Sequence, residues 1–290
     1  MTHDTFDILL AAYDELGQLH SGIATGGSAI TLVDSGLTDA DENKYKKGTL
    51  FIESADGASP EAEFAEVTAF DDSNGTLTVA TAALGAAPAA GDIYSVAPPT
   101  YTLDDVRHYL NRALRALGPV PDVDESLTTA AGTTEYTIPI AAKSDLRQVW
   151  LRTSSTSGDQ RYVERFDWGE VPDADGAATT TLKFRQQPES GETIRLVFMN
   201  VHPKIWDHDD ELSEYIALER IVIELAWRAA RAEMRKSFSD DKFTMQLVNE
   251  LAIERENMRR KYPIYQPRKP MRSLLTSTGG RHRKYGPFLP

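Results

Sequence analysis

The stretch from Asp209 to Lys261 constrains this chain more than any other. From Leu212, apolar residues recur at Tyr215, Leu218, Ile221, Val222, Leu225 and Ala229, the three-and-four spacing that lines one face of an α-helix. Ile216, Ile223 and Trp227 load a second face. A helix apolar on two sides has to be buried on two sides. The pattern predicts a second helix after it, capped by Ser237 or Ser239, with Asp240 and Asp241 at its positive end. Phe243, Leu247, Val248, Leu251 and Met258 form its inward stripe; Arg259, Arg260 and Lys261 suit its C-terminus, and Pro263 stops it. Residues 264–290 then hold four prolines, three glycines and no acid, so they cannot bury enough apolar surface to fold alone.

Upstream, Asp4 to Gln18 reads as a first helix with Phe6, Leu9, Leu10, Tyr13 and Leu16 on its apolar side. The period then shortens. Ile30 to Val33, Thr49 to Ile52, Glu63 to Phe70, Thr76 to Thr81 and Asp92 to Val96 are β-type runs, and Asn74-Gly75 supplies a hairpin turn. After Pro98-Pro99, Thr102 opens a third helix, with Asp105 three residues on and a stripe of Val106, Tyr109, Leu110, Ala113, Leu114 and Leu117. Gly118-Pro119 ends it. A second β region covers Tyr136 to Ile138, Leu146 to Leu151, Tyr162 to Phe166, Thr181 to Phe184 and Thr193 to Val201. The expected fold is α+β: a helical bundle with two inserted small antiparallel β modules and an extended C-terminal arm. Its expected parts are an N-terminal helix (1–20), a β-barrel or sandwich module (21–99), a core of helix, second β module and two long helices (100–262), and a basic arm (263–290).

The charge is unevenly distributed. The net value is −13, yet residues 1–99 contain three Lys/Arg against sixteen Asp/Glu, whereas residues 255–290 contain ten against one. An acidic body repels phosphates, which argues against a general nucleic-acid binder. The absence of cysteine removes disulfides, thiolate metal sites and cysteine nucleophiles. The apolar runs fall short of the roughly 20 residues that cross a bilayer, and the start lacks a signal-peptide pattern, so a soluble chain made in a reducing cytoplasm is expected.

Few residues point to chemistry. His202, Asp207, His208, Asp209, Asp210 and Glu211 have the types and proximity of a divalent-metal set. The structural reading is preferred, in which these acids stabilise the start of the long helix and Asp209 or Asp210 caps it. Ala24-Thr25-Gly26-Gly27-Ser28 lacks the lysine of a phosphate loop and reads as a flexible entry to the first β module. There is no Gly-x-Ser-x-Gly turn. No catalytic, cofactor or metal residues are therefore expected. Among the tryptophans, Trp150 and Trp227 fall on apolar faces, and Trp168, beside Gly169 and before Pro172, reads as the exposed one available to a sugar.

Several segments together resemble the head-to-tail connector, or adaptor, proteins of tailed bacteriophages. YTLDDVRHYLNRALRALG is similar to the helix those proteins place before their middle β region. TEYTIPI with DLRQVWLR, and ETIRLVFMNVHPKIWDHDDELSEYIALERIVIELAWRAARAEMR, resemble their β-to-helix passage. GTLFIESADG and EVTAFDDSNGTLTVATAALGAAPAAGDIYSV are similar to β modules of phage virion proteins generally. The resemblance covers most of residues 100–262. It implies a dodecameric homo-oligomeric ring at the virion neck, made in the host bacterial cytoplasm, that joins the portal protein to a tail, stopper or nozzle protein. It implies no cofactor, no membrane, and DNA passing through an acidic channel without specific binding. The arm would grip the portal through Tyr265, Arg268, Lys269, Arg272, Leu274, Leu275, Arg281, Arg283, Lys284, Tyr285 and Phe288. The competing reading is a receptor- or glycan-binding tail component, with a metal-dependent hydrolase behind it.

Overall fold

The computed structural model describes residues 3–38, 41, 43–55, 60–80, 84–139, 142, 145–152, 161–172, 180–237 and 242–268. Contacts divide the chain into two compact units, one built on Met1–Val120 with Val201–Tyr265 and the other on Pro121–Asn200.

In the first unit, α1 (Thr5–Glu15) is capped by Asp4, whose carboxylate accepts from Asp7 N. Seven strands follow: β1 (His20–Ile23), β2 (Gly26–Ser28), β3 (Thr31–Val33), β4 (Thr49–Ser54), β5 (Glu63–Asp71), β6 (Thr76–Val79) and β7 (Ile93–Ala97). They form one antiparallel sheet in the order β1-β7-β4-β5-β6-β3-β2. Strand β5 pairs with β4 through Glu63 to Glu66 and with β6 through Val67 to Asp71, with a register shift between Val67 and Ala69. Such a shift bends a strand, so one strand serves both halves of the sheet.

Strand β4 explains how the helices are held. Alternate residues of a strand face opposite sides. Leu50 and Ile52 enter a core with Leu32, Val67, Leu77, Tyr94 and Val96, while Phe51 enters another with Phe6, Tyr13, Val106, Leu110 and Leu225. The apolar run is continuous because both faces of the strand are covered. Phe51 meets Phe6 and Tyr13 edge-on at 5.8 and 5.5 Å. The Tyr13 hydroxyl donates to Tyr101 O at 2.8 Å and lies 3.0 Å from Thr49 Oγ1, and burial pushes its pKa well above the usual phenol value. Helix α2 (Leu103–Leu117) is capped by Thr102, and α3 (Leu218–Ser237) and α4 (Lys242–Lys261) complete this layer.

The second unit is a β-sandwich. β8 (Pro119–Thr128), β10 (Leu146–Arg152), β11 (Tyr162–Arg165) and β14 (Thr193–Val201) make a sheet ordered β11-β10-β14-β8. β9 (Glu135–Thr137), β12 (Trp168–Pro172) and β13 (Thr180–Phe184) make a second, ordered β12-β13-β9. Val149, Leu151, Ile194, Leu196 and Phe198 of one sheet share a core with Tyr136, Trp168, Leu182 and Phe184 of the other.

The expected helical bundle with small β inserts is therefore incorrect. Among the described residues, fourteen strands in three antiparallel sheets dominate over four helices. The helical stripes are real except at Phe243, which is 84% exposed, and they are buried against Phe51, Phe64 and Ala97 of a sheet as well as against each other. A second correction concerns α3, which begins at Leu218 and not at Leu212. The preceding residues have other partners: Leu212 N donates to His3 O at 2.7 Å, Thr5 N donates to Asp210 O at 3.0 Å, and Asp4 bridges Glu211 in antiparallel fashion. Ser237 is the last residue of α3 and not a cap; Ser239, Asp240 and Asp241 lie outside the described residues. No described helix is long and apolar enough to cross a membrane.

Candidate functional site

The site with the most elaborate construction is the junction where the chain leaves α4. Glu224 lies inside the α3–α4 pair, its side chain 3% exposed. A buried carboxylate is tolerated only when it is paired and hydrogen-bonded. Arg228, one turn along α3, donates from Nε and Nη2 to Oε1 at 2.9 and 2.7 Å. From α4, Arg255 Nε donates to Oε2 at 2.5 Å and Arg259 Nη2 reaches the same atom at 3.3 Å. Burial pushes the Glu224 pKa up, but the bond from Arg255 and the charge of Arg228 outweigh it and hold the carboxyl below its ordinary value. The Trp227 ring is covered by the guanidinium of Arg255 at 4.1 Å and of Arg231 at 5.0 Å.

This clamp fixes the chain that follows. Arg220 Nη1 donates to Tyr262 O at 2.6 Å, Ile264 packs on the helical core, and the rings of Tyr215 and Tyr265 stack at 6.4 Å. An open cleft of about 320 Å³ lies here, lined by Tyr215, Arg220, Lys261, Tyr262 and Ile264. Burial, with the nearby charge of Arg259, lowers the Arg220 pKa from its ordinary value. Tyr265 remains 57% exposed despite its stacking partner, and Arg268 is exposed. The other arm residues named from the sequence, Lys269, Arg272, Leu274, Leu275, Arg281, Arg283, Lys284, Tyr285 and Phe288, lie outside the described residues.

The sequence reading did not single out Glu224 or its arginines. A signal was present, since a glutamate within the apolar stripe of a helix needs cations, and Arg228 stands at i+4.

The acidic approach to α3 has a structural role of another kind than expected. Asp210 caps no helix: its Oδ2 accepts from the backbone N of Trp206 and Asp207 at 2.6 and 2.9 Å, closing a turn. His202 is buried; its Nδ1 lies 2.8 Å from Pro203 O, and its Nε2 accepts from Ser213 N at 3.0 Å. Those partners require the neutral tautomer with the proton on Nδ1. Among the described residues, no three His, Cys, Asp or Glu side chains converge as a metal set. The Gly26-Gly27 segment is strand β2, paired with β3, and not a flexible entry.

Trp168 also departs from expectation. It is 3% exposed and pairs with Phe184 across β12 and β13, inside the sandwich core. Its flanking Gly169 and Pro172 mark an edge strand, where glycine and proline are tolerated, and say nothing about the exposure of the indole. Trp168→Ala is expected to cost about 3–5 kcal/mol, a typical large-to-small core loss. Chemical denaturation followed by intrinsic fluorescence checks it; a change near zero would mean that the indole lies outside the core.

No family model matches the chain, and no curated protein matches it.

Proposed function

We propose that the protein is a virion neck component, a ring subunit that joins the capsid portal to the tail and grips the portal with its basic C-terminal segment. The observation that carries this reading is the anchored root of that segment. A long, acid-free, proline-rich stretch leaves from Tyr262 to Tyr265, which is held by a hydrogen bond from Arg220 of α3, a ring stack on Tyr215 just before that helix, and core packing of Ile264. An arm that starts from a fixed point loses less freedom on docking than a free tail, so more of its contact energy remains as affinity. Charge supports the rest. The body is acidic and the arm basic, so the arm is drawn to an acidic partner surface while the body gives DNA no counterion-release gain.

A glycan-binding role has lost its leading residue, because Trp168 is buried. The experiment that tests the proposal is electron microscopy of the purified protein mixed with the portal of the same phage. The expected image is a ring seated coaxially on the portal. Particles that leave the portal bare at protein excess would contradict it.

A further inference from the structure

Arg220 carries a hydrogen-bonding edge that nothing fills among the described residues. Its Nη1 donates to Tyr262 O at 2.6 Å, which fixes the guanidinium, but its Nε is buried with no acceptor and its Nη2 has none either. A buried donor without an acceptor is rare in a folded protein. Nε and Nη2 lie side by side on the planar guanidinium, and together they match the two oxygens of one carboxylate. The same edge is filled elsewhere in this chain. Arg165 donates from Nε and Nη2 to Asp167 at 2.8 Å each, Arg228 donates from both to Glu224 at 2.9 and 2.7 Å, and Arg147 uses both on Asp145. Burial and the nearby charge of Arg259 both work against the Arg220 cation, and the acid that opposes them, Glu224, is already held by Arg228, Arg255 and Arg259.

Arg220 lines the cleft of about 320 Å³ at the root of the arm, and Lys261 and Glu214 line it too. Lys261 and Glu214 are exposed, and none of the three makes an ion pair among the described residues. Two cations against one acid leave the lining with a single excess positive charge. The rest of the wall includes Ile216, Pro263 and Ile264, an apolar surface beside the charges.

We infer that this cleft receives an aspartate or glutamate side chain from the protein partner on which the arm docks. The carboxylate supplies the acceptors that Arg220 lacks and lies within the field of Lys261, and its short aliphatic stem rests on the apolar wall. Charge selects a carboxylate over a phosphate: one negative charge balances the lining, whereas a phosphate dianion would exceed it and be repelled by Glu214. Position selects a partner protein over a free acid, because the cleft is built from the residues that anchor the arm, so a surface that binds the arm is carried up to it. The inference rests on the arm docking of the neck reading and names the group recognised at the arm's root.

The test uses full-length ¹⁵N-labelled protein and reads the Arg220 Nε–Hε resonance, assigned by its loss in Arg220→Lys. The probe is N-acetyl-glutamate methylamide, with N-acetyl-glutamine methylamide as a control that differs only in the carboxylate. The glutamate probe is expected to shift the resonance saturably, and the glutamine probe to leave it in place. Inorganic phosphate is expected to bind more weakly than the glutamate probe. Lys261→Gln, a change at an exposed position, is expected to keep the wild-type thermal midpoint and to weaken the glutamate probe by at least threefold. No saturable shift, an equal shift with glutamine, tighter binding of phosphate, or an unchanged affinity in Lys261→Gln would overturn the inference. Portal binding is measured separately on the wild type. Binding with a silent probe removes the cleft contact and leaves the neck reading, and a probe response without binding does the reverse.

Discussion

Replacing Glu224 with alanine is expected to destabilise the first unit by about 3–5 kcal/mol, the usual consequence of removing one member of a buried ionic network. The carboxylate is the common acceptor for Arg228, Arg255 and Arg259, and without it three guanidinium groups are left close together with no counter-charge. The loss falls on the joint between α3 and α4, and so on the anchor of the segment that follows. Two readouts check it: a fall in thermal midpoint, and earlier proteolysis after Lys261 or Arg268. Acid has a related effect. The folded-state pKa of Glu224 lies below its ordinary value of 4.5, so its contribution is fully present above that value and is lost as pH falls through the lower folded pKa. In the wild type this adds to the acid lability below pH 4.5, and Glu224→Gln removes that share. An unchanged midpoint in Glu224→Ala would mean that the cluster lies in solvent.

Gly75→Ala is expected to be nearly as damaging, at about 2–5 kcal/mol, from left-handed strain together with overpacking. Gly75 has φ +61, a conformation that L side chains rarely adopt. An added Cβ would also stand 1.8 Å from Asp34 O. That carbonyl cannot simply withdraw, because Asp34 N donates to Gly75 O at 3.0 Å, and the Asp34 carboxylate accepts from the buried Tyr94 hydroxyl at 2.8 Å. The cost should appear as a lowered denaturation midpoint of the first unit, with the fluorescence of Trp168 in the sandwich still native at denaturant where the first unit has unfolded. A variant as stable as wild type would show that the turn relaxes.

The parts of the fold that were legible in the sequence share a physical basis. Thr102 and Asp4 declare helix starts through their own side chains, and Asn74-Gly75 declares a turn through its backbone freedom. The interior strands β4, β10 and β14 are apolar because they are covered. The strands that escaped notice are β1, β2, β8 and β12, and each lies at the edge of its sheet. His20-Ser21-Gly22, Gly26-Gly27, the acids of Pro119 to Thr128 and the Trp168-Gly169 pair carry little apolar periodicity, since an edge strand keeps polar or breaking residues against unwanted pairing. The start of α3 was misread for a different reason. Leu212 and Ile216 are buried as their spacing required, but the backbone there pairs with residues at the beginning of the chain, a partnership that local periodicity does not encode. The Glu224 cluster joins residues 31 and 35 positions apart, beyond any spacing rule.

The most direct measurement of the central claim is co-sedimentation with the portal of the full-length protein and of a chain ending at residue 266. That truncation keeps Tyr262, Ile264 and Tyr265, so the anchor on α3 stays intact and any loss belongs to the segment beyond it. The neck account predicts that the full chain sediments with the portal, that the shortened chain stays in the supernatant, and that both show the same thermal midpoint. A shortened chain that still sediments with the portal would contradict it.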